Sequence, residues 1–185
     1  MGNDDRQVLI VHASRFGHST KIAQAIADTL TGQGFSCELI PLTKTTAPDP
    51  ARHQAFIMVT SVRYGHYDRN SSRFVEQNRA WLDSVPNLLV TVSLTARTPA
   101  KRDPAVHVYT RKYLAKTQWT PTQTEVMPGM LDYPRYNPFD RAAIRLIMHM
   151  TGGVTDPTAV IDYTDWDEVR AAAERFADTI RQHQN

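Results

Sequence analysis

The alternation of unbroken apolar runs with helical patterns constrains the fold of this chain more than any other feature. Apolar runs rich in branched residues predict strands at 7–12, 35–42, 55–62, 87–94 and 124–131. Strands that are buried on both faces of a parallel sheet have this unbroken character. Apolar residues at helical spacing predict helices from Ser19 to about Leu30, between Phe74 and about Pro86, and from about Asp165 onward. This order is typical of an α/β fold in which helices cover both faces of an open parallel sheet.

Length and composition predict one soluble globular domain over residues 1–185. The 185 residues are 41% hydrophobic and 22% charged, which suits a chain with a full core. The segment MGNDDRQ is too acidic and polar for a secretory signal, and no apolar run in the sequence approaches the ~20 residues that span a bilayer. We therefore expect a cytoplasmic protein. The single cysteine, Cys37, lies in an apolar run and is expected to be a core thiol.

Three strand exits are the candidate positions for a site, because ligands of such a sheet bind beyond the carboxyl ends of its strands. They are HASRFGHST at 12–20, SVRYGHYDRN at 61–70 and SLTARTPAKR at 93–102. In the second exit an Arg, two Tyr, a Gly and a His follow a buried strand, which indicates either a binding site or a polar surface loop. The third exit could place its backbone against a flat ring, or it could be a plain connecting loop.

The first exit has the features of a phosphate-binding loop. It runs directly into a helix, whose first backbone N–H groups attract anions. Ser14, Ser19 and Thr20 supply hydroxyls, Gly17 permits close backbone approach and Arg15 adds positive charge. The loop matches neither the Walker pattern nor GxGxxG. The alternative is an ordinary helix N-cap formed by Ser19.

Positive charge is concentrated in residues 97–149. This segment holds nine Lys or Arg and four Asp or Glu, whereas the rest of the chain holds 12 and 15, respectively. Aromatic residues are interleaved with the cations. Such a segment could bind nucleic acid, but no recognisable nucleic-acid module accompanies it and we do not expect a nucleic-acid partner. It could also be a solvated basic face.

Seven segments together resemble the menaquinone-dependent protoporphyrinogen oxidase family of bacterial haem synthesis, whose members are flavodoxin-like FMN enzymes. They are LIVHASRFGHSTKIA, SVRYGHY, LTARTPAKR, YTRKYLAKTQW, MLDYPRYNPFDR, IRLIMHMTGG and VIDYTDW. They cover nearly the whole chain in the order that the family has. The resemblance implies a five-stranded flavodoxin-like sheet in the order 2-1-3-4-5, with FMN as cofactor and the basic segment 97–149 as an insertion.

The resemblance also implies which residues would hold FMN. The phosphate falls to Ser14, Arg15, Phe16, Gly17, His18 and Ser19. The ring falls between two sets, which are Arg63, Tyr64, Gly65, His66 and Tyr67 on one side and Ser93, Leu94, Thr95, Ala96 and Arg97 on the other. Tyr64 or Tyr67 would stack on the ring. Flavodoxins usually have Thr where this chain has Phe16, so a hydroxyl contact to phosphate is lost or passes to Ser14 or Thr20.

The activity that the resemblance implies is the oxidation of protoporphyrinogen IX in three two-electron steps, with electrons passed to membrane menaquinone or ubiquinone. His66 and Arg97 are the catalytic candidates. His66 could accept a proton, but it could equally hydrogen-bond the flavin or face water. The substrate is an apolar macrocycle with two propionates, for which arginine is the best partner. The candidate substrate cations are Arg102, Arg111, Arg135 and Arg141, and no metal site is expected.

Residues 139–150 predict a basic amphipathic helix. Its predicted apolar face consists of Phe139, Ala143, Ile144, Ile147 and Met148, with Arg141 and Arg145 on another flank. Such a helix either lies on an anionic membrane surface or packs on the sheet. Because quinones are dissolved in the membrane, we expect peripheral attachment to the inner face of the cell membrane.

A flavodoxin-type electron carrier with protein partners is the alternative class. Such carriers are usually strongly acidic, which suits docking on basic reductases. The pI of about 8.8 for this chain favours the enzyme.

Overall fold

The computed structural model describes residues 6–184, and it contains a five-stranded parallel sheet in the order β2-β1-β3-β4-β5. The strands are β1 (Gln7–Ala13), β2 (Ser36–Pro41), β3 (His53–Ser61), β4 (Asn87–Ser93) and β5 (Gln123–Pro128). The predicted fold class and strand order are confirmed. Residues 1–5, where most of the acidic N-terminal segment falls, lie outside the described part of the chain.

Helices cover both faces of this sheet. They are α1 (His18–Gly32), α2 (Arg69–Gln77), α3 (Arg79–Leu82), α4 (Val108–Thr117), α5 (Pro138–Met150) and α6 (Trp166–Gln184). One core lies between the sheet and the face with α1 and α6, and it contains Ile22 and Phe176. The other core contains Phe74 and Tyr113, from the face with α2, α3 and α4. Cys37 packs against the first core, and burial raises the pKa of its thiol, as expected of a structural cysteine.

The helix predicted between Phe74 and Pro86 is broken into α2 and α3 at Asn78. The Asn78 side-chain amide donates to the Phe74 carbonyl at 2.8 Å, and the Asn78 backbone N–H donates to the same oxygen at 3.0 Å. This side chain competes with the next helical turn for the carbonyl, which ends α2. The sequence alone does not predict the fold of residues 97–123. The structure forms short 3₁₀ turns at Leu94–Arg97 and Pro99–Lys101 and then α4.

The run predicted as a fifth strand at 124–131 divides at Gly129 between two sheets. β5 pairs with β4, whereas β6 (Met130–Asp132) pairs antiparallel with β7 (Val160–Asp162). The basic segment 97–149 is therefore not an insertion as a whole. α4 and β5 belong to the main sheet and its cover, and the added structure begins after β5.

The small sheet and α5 enclose a third core beside the β1–α1 loop. Leu131, Tyr133, Tyr136 and Met148 are buried there, and Phe16 from the β1–α1 loop packs against them. The added structure thus borders the carboxyl end of the main sheet, where the three strand exits lie. Within residues 6–184, no helix has the length and apolar character required to cross a membrane.

Candidate active site

The β1–α1 loop presents an uncapped helix N-terminus. Gly17 is the N-cap of α1, with φ +85°, and no side chain caps the helix there. The alternative of an N-cap by Ser19 is wrong, because the helix already begins at His18. The left-handed conformation of Gly17 suits glycine alone. The first amides of α1 are therefore available to an anion at this loop.

His18 adds a buried polar atom to the same loop. Its Nε2 lies 2.7 Å from Thr164 Oγ1 and 3.6 Å from an Asp162 carboxylate oxygen. Its Nδ1 is buried without a hydrogen-bond partner among residues 6–184. Burial lowers the pKa of His18, which outweighs the opposite effect of Asp162. The Thr164 hydroxyl donates to the Pro128 carbonyl at 3.0 Å, so Nε2 carries the hydrogen toward Thr164 and Nδ1 of the neutral ring is an acceptor. Because a phosphate oxygen also accepts, the free helix amides are the donors that fit a phosphate here.

Phe16 anchors the loop instead of contributing a side-chain hydroxyl. Its ring lies 5.2 Å from that of Tyr136, and its carbonyl accepts a hydrogen bond from Arg135 Nη1 at 2.9 Å. The Thr20 hydroxyl is 3.1 Å from His12 Nδ1 and is thus already engaged. Of the two predicted replacements for the missing hydroxyl, Ser14 is the one that also lines the adjacent cavity.

The second strand exit forms a tight turn. Arg63 and His66 exchange two backbone hydrogen bonds of 2.9 Å, with Tyr64 at φ 48° and Gly65 at φ 78°. Positive φ favours glycine at position 65, and a Cβ there would also lie 3.0 Å from the Tyr109 ring, which would have to shift. Tyr67 instead stacks on the buried ring of Tyr113, with centroids 4.1 Å apart. Tyr64 is therefore the tyrosine available for stacking on a bound ring.

Asp140 ties this turn to α5. The Arg63 guanidinium pairs with its carboxylate, and the Tyr64 hydroxyl donates to it. The Asn137 side chain donates to Asp140 Oδ2 at 2.9 Å, and Arg15 Nη2 lies 4.0 Å from the same oxygen. The hydrogen bonds from Arg63 and Tyr64 hold the pKa of Asp140 below its usual value. One mostly buried carboxylate thus fixes the second strand exit against α5.

The third strand exit is held by its own polar groups. Ser93 Oγ accepts from the Thr95 backbone N–H at 3.3 Å and caps the 3₁₀ turn. Arg97 Nη1 donates to the Leu94 carbonyl at 3.1 Å. Arg97 Nη2 donates to the carbonyl and hydroxyl oxygens of Thr151, beyond α5, at 3.0 and 2.7 Å. The guanidinium of Arg97 therefore bridges this exit to the end of α5.

Two adjoining cavities bring the three exits together. The first, of about 130 Å³, follows the β1–α1 loop and includes Ser14, Phe16 and His18. The second, of about 400 Å³, lies between the other two exits and α5. The two share Val62, Arg63, Leu94 and Ile144. A ligand with a phosphate at one end and a flat ring at the other suits this pair of cavities.

The structure separates several predicted residues from these cavities. His66 lines an adjoining, polar groove with Asp68 and Arg69, and this groove shares Arg63 with both cavities. Arg102 donates to the Ala96 carbonyl and lies near Asp165, whereas Arg141 donates to the Tyr133 and Tyr136 carbonyls. Arg111 is exposed on α4. Of the four predicted substrate cations, Arg135 is the one that lines the first cavity.

The exposed face of α5 differs from the prediction. Met148 is 1% exposed and Ile144 packs against the third core, so these two residues face inward. The exposed apolar residues are Phe139 (88%), Leu146 (61%), Ile147 (43%) and Met150 (77%). Their spacing places them along one side of the helix. We call these four residues the α5 stripe. One side of the helix therefore packs inward, and contact of the other side with a membrane surface stays a prediction.

Sequence reasoning missed Asp140 and the packing of Phe16. A signal for Asp140 exists in the segment NPFD, where an N-cap Asn and a Pro at the first helical position precede an acidic residue in the first turn. That pattern predicts the helix start but not the pairing with Arg63. Phe16 makes contacts across the chain for which the local sequence holds no signal. Tyr109 is one of the aromatic residues interleaved with the cations of the basic segment, and the structure places it at the second cavity.

The fold and site define a class of protein. The family model described as the flavodoxin domain matches residues 9–158, and the chain belongs to that family. Its backbone is similar to a flavodoxin from the domain Archaea and to the Streptococcus pneumoniae TIGR4 flavodoxin, each with a TM-score of 0.54. The identities are 9% and 17%, with 95% of this chain and 99% and 98% of those chains covered.

Within that class the curated relatives share one name, protoporphyrinogen IX dehydrogenase (quinone). The relative from Escherichia coli strain K12 is 36% identical over 171 residues, which are 92% of this chain and 94% of the relative. The relative from Leishmania major is 35% identical over 178 residues, which are 96% of this chain and 77% of the relative. The chain belongs to this family of oxidoreductases.

Family membership indicates FMN as the cofactor, in agreement with the prediction. The residues at the cavities fit this cofactor. The uncapped amides after Gly17 suit its phosphate, and the exposed Tyr64 suits its ring. Only the backbone of Phe16 is available to the FMN phosphate, because its side chain packs against the third core.

Proposed function

We propose that this protein oxidises protoporphyrinogen IX to protoporphyrin IX in haem synthesis, with FMN as cofactor and membrane menaquinone as electron acceptor. The observation that carries the proposal is the second cavity, whose apolar wall from α5 lies beside both predicted ring-facing exits. The names of the relatives support the same substrate and a quinone acceptor. FMN supplies a two-electron acceptor when bound, and the protein supplies orientation and electrostatics.

Residues 14–19 are proposed to bind the FMN phosphate through the amides that follow Gly17. The turn at residues 63–66 and the 3₁₀ turn Leu94–Arg97 then flank the ring. The Asp140 contacts and the bridge from Arg97 to Thr151 connect each of these turns to α5. The spacing between the turns is therefore set by the protein before any ligand binds, which reduces the entropy lost on binding.

The substrate is proposed to enter the second cavity against α5. Ile144, Ile147 and Met148 provide an apolar wall for the macrocycle, and Tyr109 provides an aromatic one. Arg97 lines this cavity, and the half-exposed Arg135 lines the neighbouring one, so these two are the proposed partners of the propionates. A planar guanidinium can bind a carboxylate with two hydrogen bonds.

The α5 stripe is proposed to rest on the membrane surface that holds the quinone. Ile147 belongs to this stripe and also lines the second cavity. If the α5 stripe contacts the membrane at the boundary between headgroups and acyl chains, the opening of the second cavity lies at that boundary too. A quinone dissolved in the membrane could then reach the cavity. Arg145 and His149 lie on the same helix and suit anionic headgroups. This arrangement supports peripheral attachment at the inner face of the cell membrane.

The test follows porphyrin fluorescence under anaerobic conditions. Purified FMN-loaded protein is mixed with protoporphyrinogen IX, with and without a water-soluble menaquinone analogue. We expect sustained fluorescence with the quinone. Without it we expect at most one protoporphyrin IX per three FMN, because each FMN accepts two electrons and the full oxidation releases six. A rate equal to that of free FMN would exclude the dehydrogenase while leaving FMN binding intact. That outcome would favour a flavodoxin-type electron carrier.

A further inference from the structure

A chain of buried hydroxyls and one imidazole connects the two ring-facing strand exits behind the second cavity. Its centre is His107, the N-cap of α4, which is 2% exposed. His107 Nε2 lies 3.1 Å from Thr95 Oγ1, and His107 Nδ1 lies 2.8 Å from Thr110 Oγ1. Thr95 Oγ1 in turn lies 2.9 Å from Ser93 Oγ. The chain therefore reaches the third exit through Thr95 and Ser93, which both line the second cavity.

The same chain extends to the second exit. The Tyr67 hydroxyl lies 2.7 Å from Thr91 Oγ1 and 3.0 Å from Thr110 Oγ1, and those two threonine oxygens are 3.2 Å apart. Thr91 and Thr110 are fully buried. Buried polar networks of this kind rigidify their surroundings when every member is satisfied.

The capping bond fixes the proton position on His107. The Thr110 backbone N–H donates to Nδ1 at 3.3 Å, and a backbone N–H can only donate. Nδ1 therefore carries no hydrogen in the neutral ring, and Nε2 does. It follows that His107 donates to Thr95 Oγ1 and cannot accept a hydrogen from it.

The hydroxyls of Ser93 and Thr95 decide whether a hydrogen-bond donor faces the second cavity. Ser93 and Thr95 together carry two hydroxyl hydrogens, and their mutual bond uses one of them. The second hydrogen remains available, and the hydrogen bond from His107 Nε2 fixes the position of Thr95 Oγ1 without using either hydrogen. Both residues line the second cavity, so this hydrogen can be donated to a ligand there.

We propose that His107 is a positioning residue that holds the Ser93 and Thr95 hydroxyls in the orientation from which one of them donates a hydrogen bond to the FMN ring. The inference rests on the proposed function in that it requires FMN in these cavities. A donor aimed at a flavin stabilises the electron-rich reduced form more than the oxidised form. His107 thereby raises the reduction potential of the bound flavin without touching it.

The test compares the affinities of oxidised and reduced FMN, and so its midpoint potential, in His107→Ala, His107→Gln and Thr95→Val. Each of His107→Ala and Thr95→Val leaves a hydroxyl at the cavity but removes a hydrogen bond that orients it. We therefore expect a roughly fivefold weaker binding of reduced relative to oxidised FMN in each. His107→Gln retains a donor amide at the same reach and should recover most of the loss. The double variant His107→Ala/Thr95→Val should match either single variant, since both act through one hydroxyl.

His53→Ala is the matched control. His53 is also buried, at 4% exposed, but its partners are Glu38 and the Asp49 backbone, and it belongs to the amino end of β3. This variant should lose stability without a change in potential. An unchanged potential in His107→Ala and Thr95→Val, or additive shifts in the double variant, would overturn the proposal while porphyrinogen oxidation could still be observed. Failure of the wild-type protein to bind FMN would overturn both proposals.

Discussion

At the scale of single residues, the candidate site is organised by two arginines with different roles. Arg63 is committed to Asp140 and holds the second strand exit in place. Arg97 bridges the third exit to Thr151 and also lines the second cavity. Replacing Arg63 should therefore impair folding and cofactor binding, whereas replacing Arg97 should also weaken substrate binding.

Arg97→Ala should raise the KM for protoporphyrinogen IX about tenfold. A charge-assisted hydrogen bond contributes roughly 1.5–3 kcal/mol, and its loss removes a proposed propionate partner. The visible spectrum of bound FMN should keep its shape, because the backbone of the third exit remains. Steady-state porphyrin fluorescence gives KM and kcat. Arg111→Ala is the matched control, since Arg111 is exposed on α4, and equal KM values for the two variants would remove Arg97 from the substrate site.

Asp140→Asn should lower the free energy of unfolding by about 1.5–3 kcal/mol near pH 7, because two hydrogen bonds to a charged group are weakened. The pKa of Asp140 is lowered in the folded protein, so its stabilising effect is present above the ordinary value of 3.8 and is lost as the pH falls below it. The difference between the variant and the wild type should therefore shrink below about pH 4. Urea titrations at several pH values measure this difference, and a constant difference would contradict the assignment.

At the scale of secondary-structure elements, α5 has two apolar sides with different partners. Ile144 and Met148 pack toward the third core, and the α5 stripe faces solvent. Hydrophobic periodicity predicted this helix correctly but merged the two sides into one face. Periodicity records that a residue is apolar and cannot tell whether protein, membrane or solvent covers it. The stripe is therefore a feature that the structure reveals.

Replacing Leu146 and Met150 together by serine should reduce binding to vesicles that contain anionic phospholipid by at least about tenfold. Each side chain of this size contributes roughly 1.5–3 kcal/mol when fully buried in an apolar environment. Co-sedimentation with vesicles measures the partition coefficient. Val160→Ser on β7 is the control, because Val160 is 53% exposed but lies outside α5. An equal reduction in both variants would show that general surface polarity, and not the stripe, determines binding.

The sequence predicts the main sheet well and its connections less well. All five strands of the parallel sheet were predictable, because strands buried on both faces produce unbroken apolar runs. The division of 124–131 between β5 and β6 was not, since an apolar run does not record a change of pairing partner at Gly129. The three strand exits could be predicted as the place of the site, because ligands of such a sheet bind beyond the carboxyl ends of its strands. The separation of His66 from the cavities could not, because it depends on a turn with Tyr64 in the left-handed region.

At the scale of the whole molecule, the site lies at the seam between the main sheet and the added structure of residues 130–163. The Phe16 side chain, from the β1–α1 loop, packs against the third core across this seam. Arg135, from the added structure, donates a hydrogen bond to the Phe16 carbonyl. His18 makes a second connection, with Nε2 3.6 Å from an Asp162 carboxylate oxygen. The β1–α1 loop, the α5 wall of the second cavity and the α5 stripe are thus parts of one assembly, and loosening the seam should disturb all three.

The seam and the hydroxyl chain together predict how stability depends on pH. Burial lowers the pKa of His12, His18 and His107, and Lys101 lowers that of His107 further. A histidine whose pKa is lowered by folding stabilises the protein above its unfolded pKa, near 6.5, and this contribution is lost as the pH falls below that value. The free energy of unfolding should therefore decrease from about pH 7.5 to about pH 5, before Asp140 titrates. Urea titrations across this range measure the slope. His107→Gln should flatten it, whereas Arg111→Ala should leave it unchanged, and equal slopes in both variants would show that His107 does not contribute.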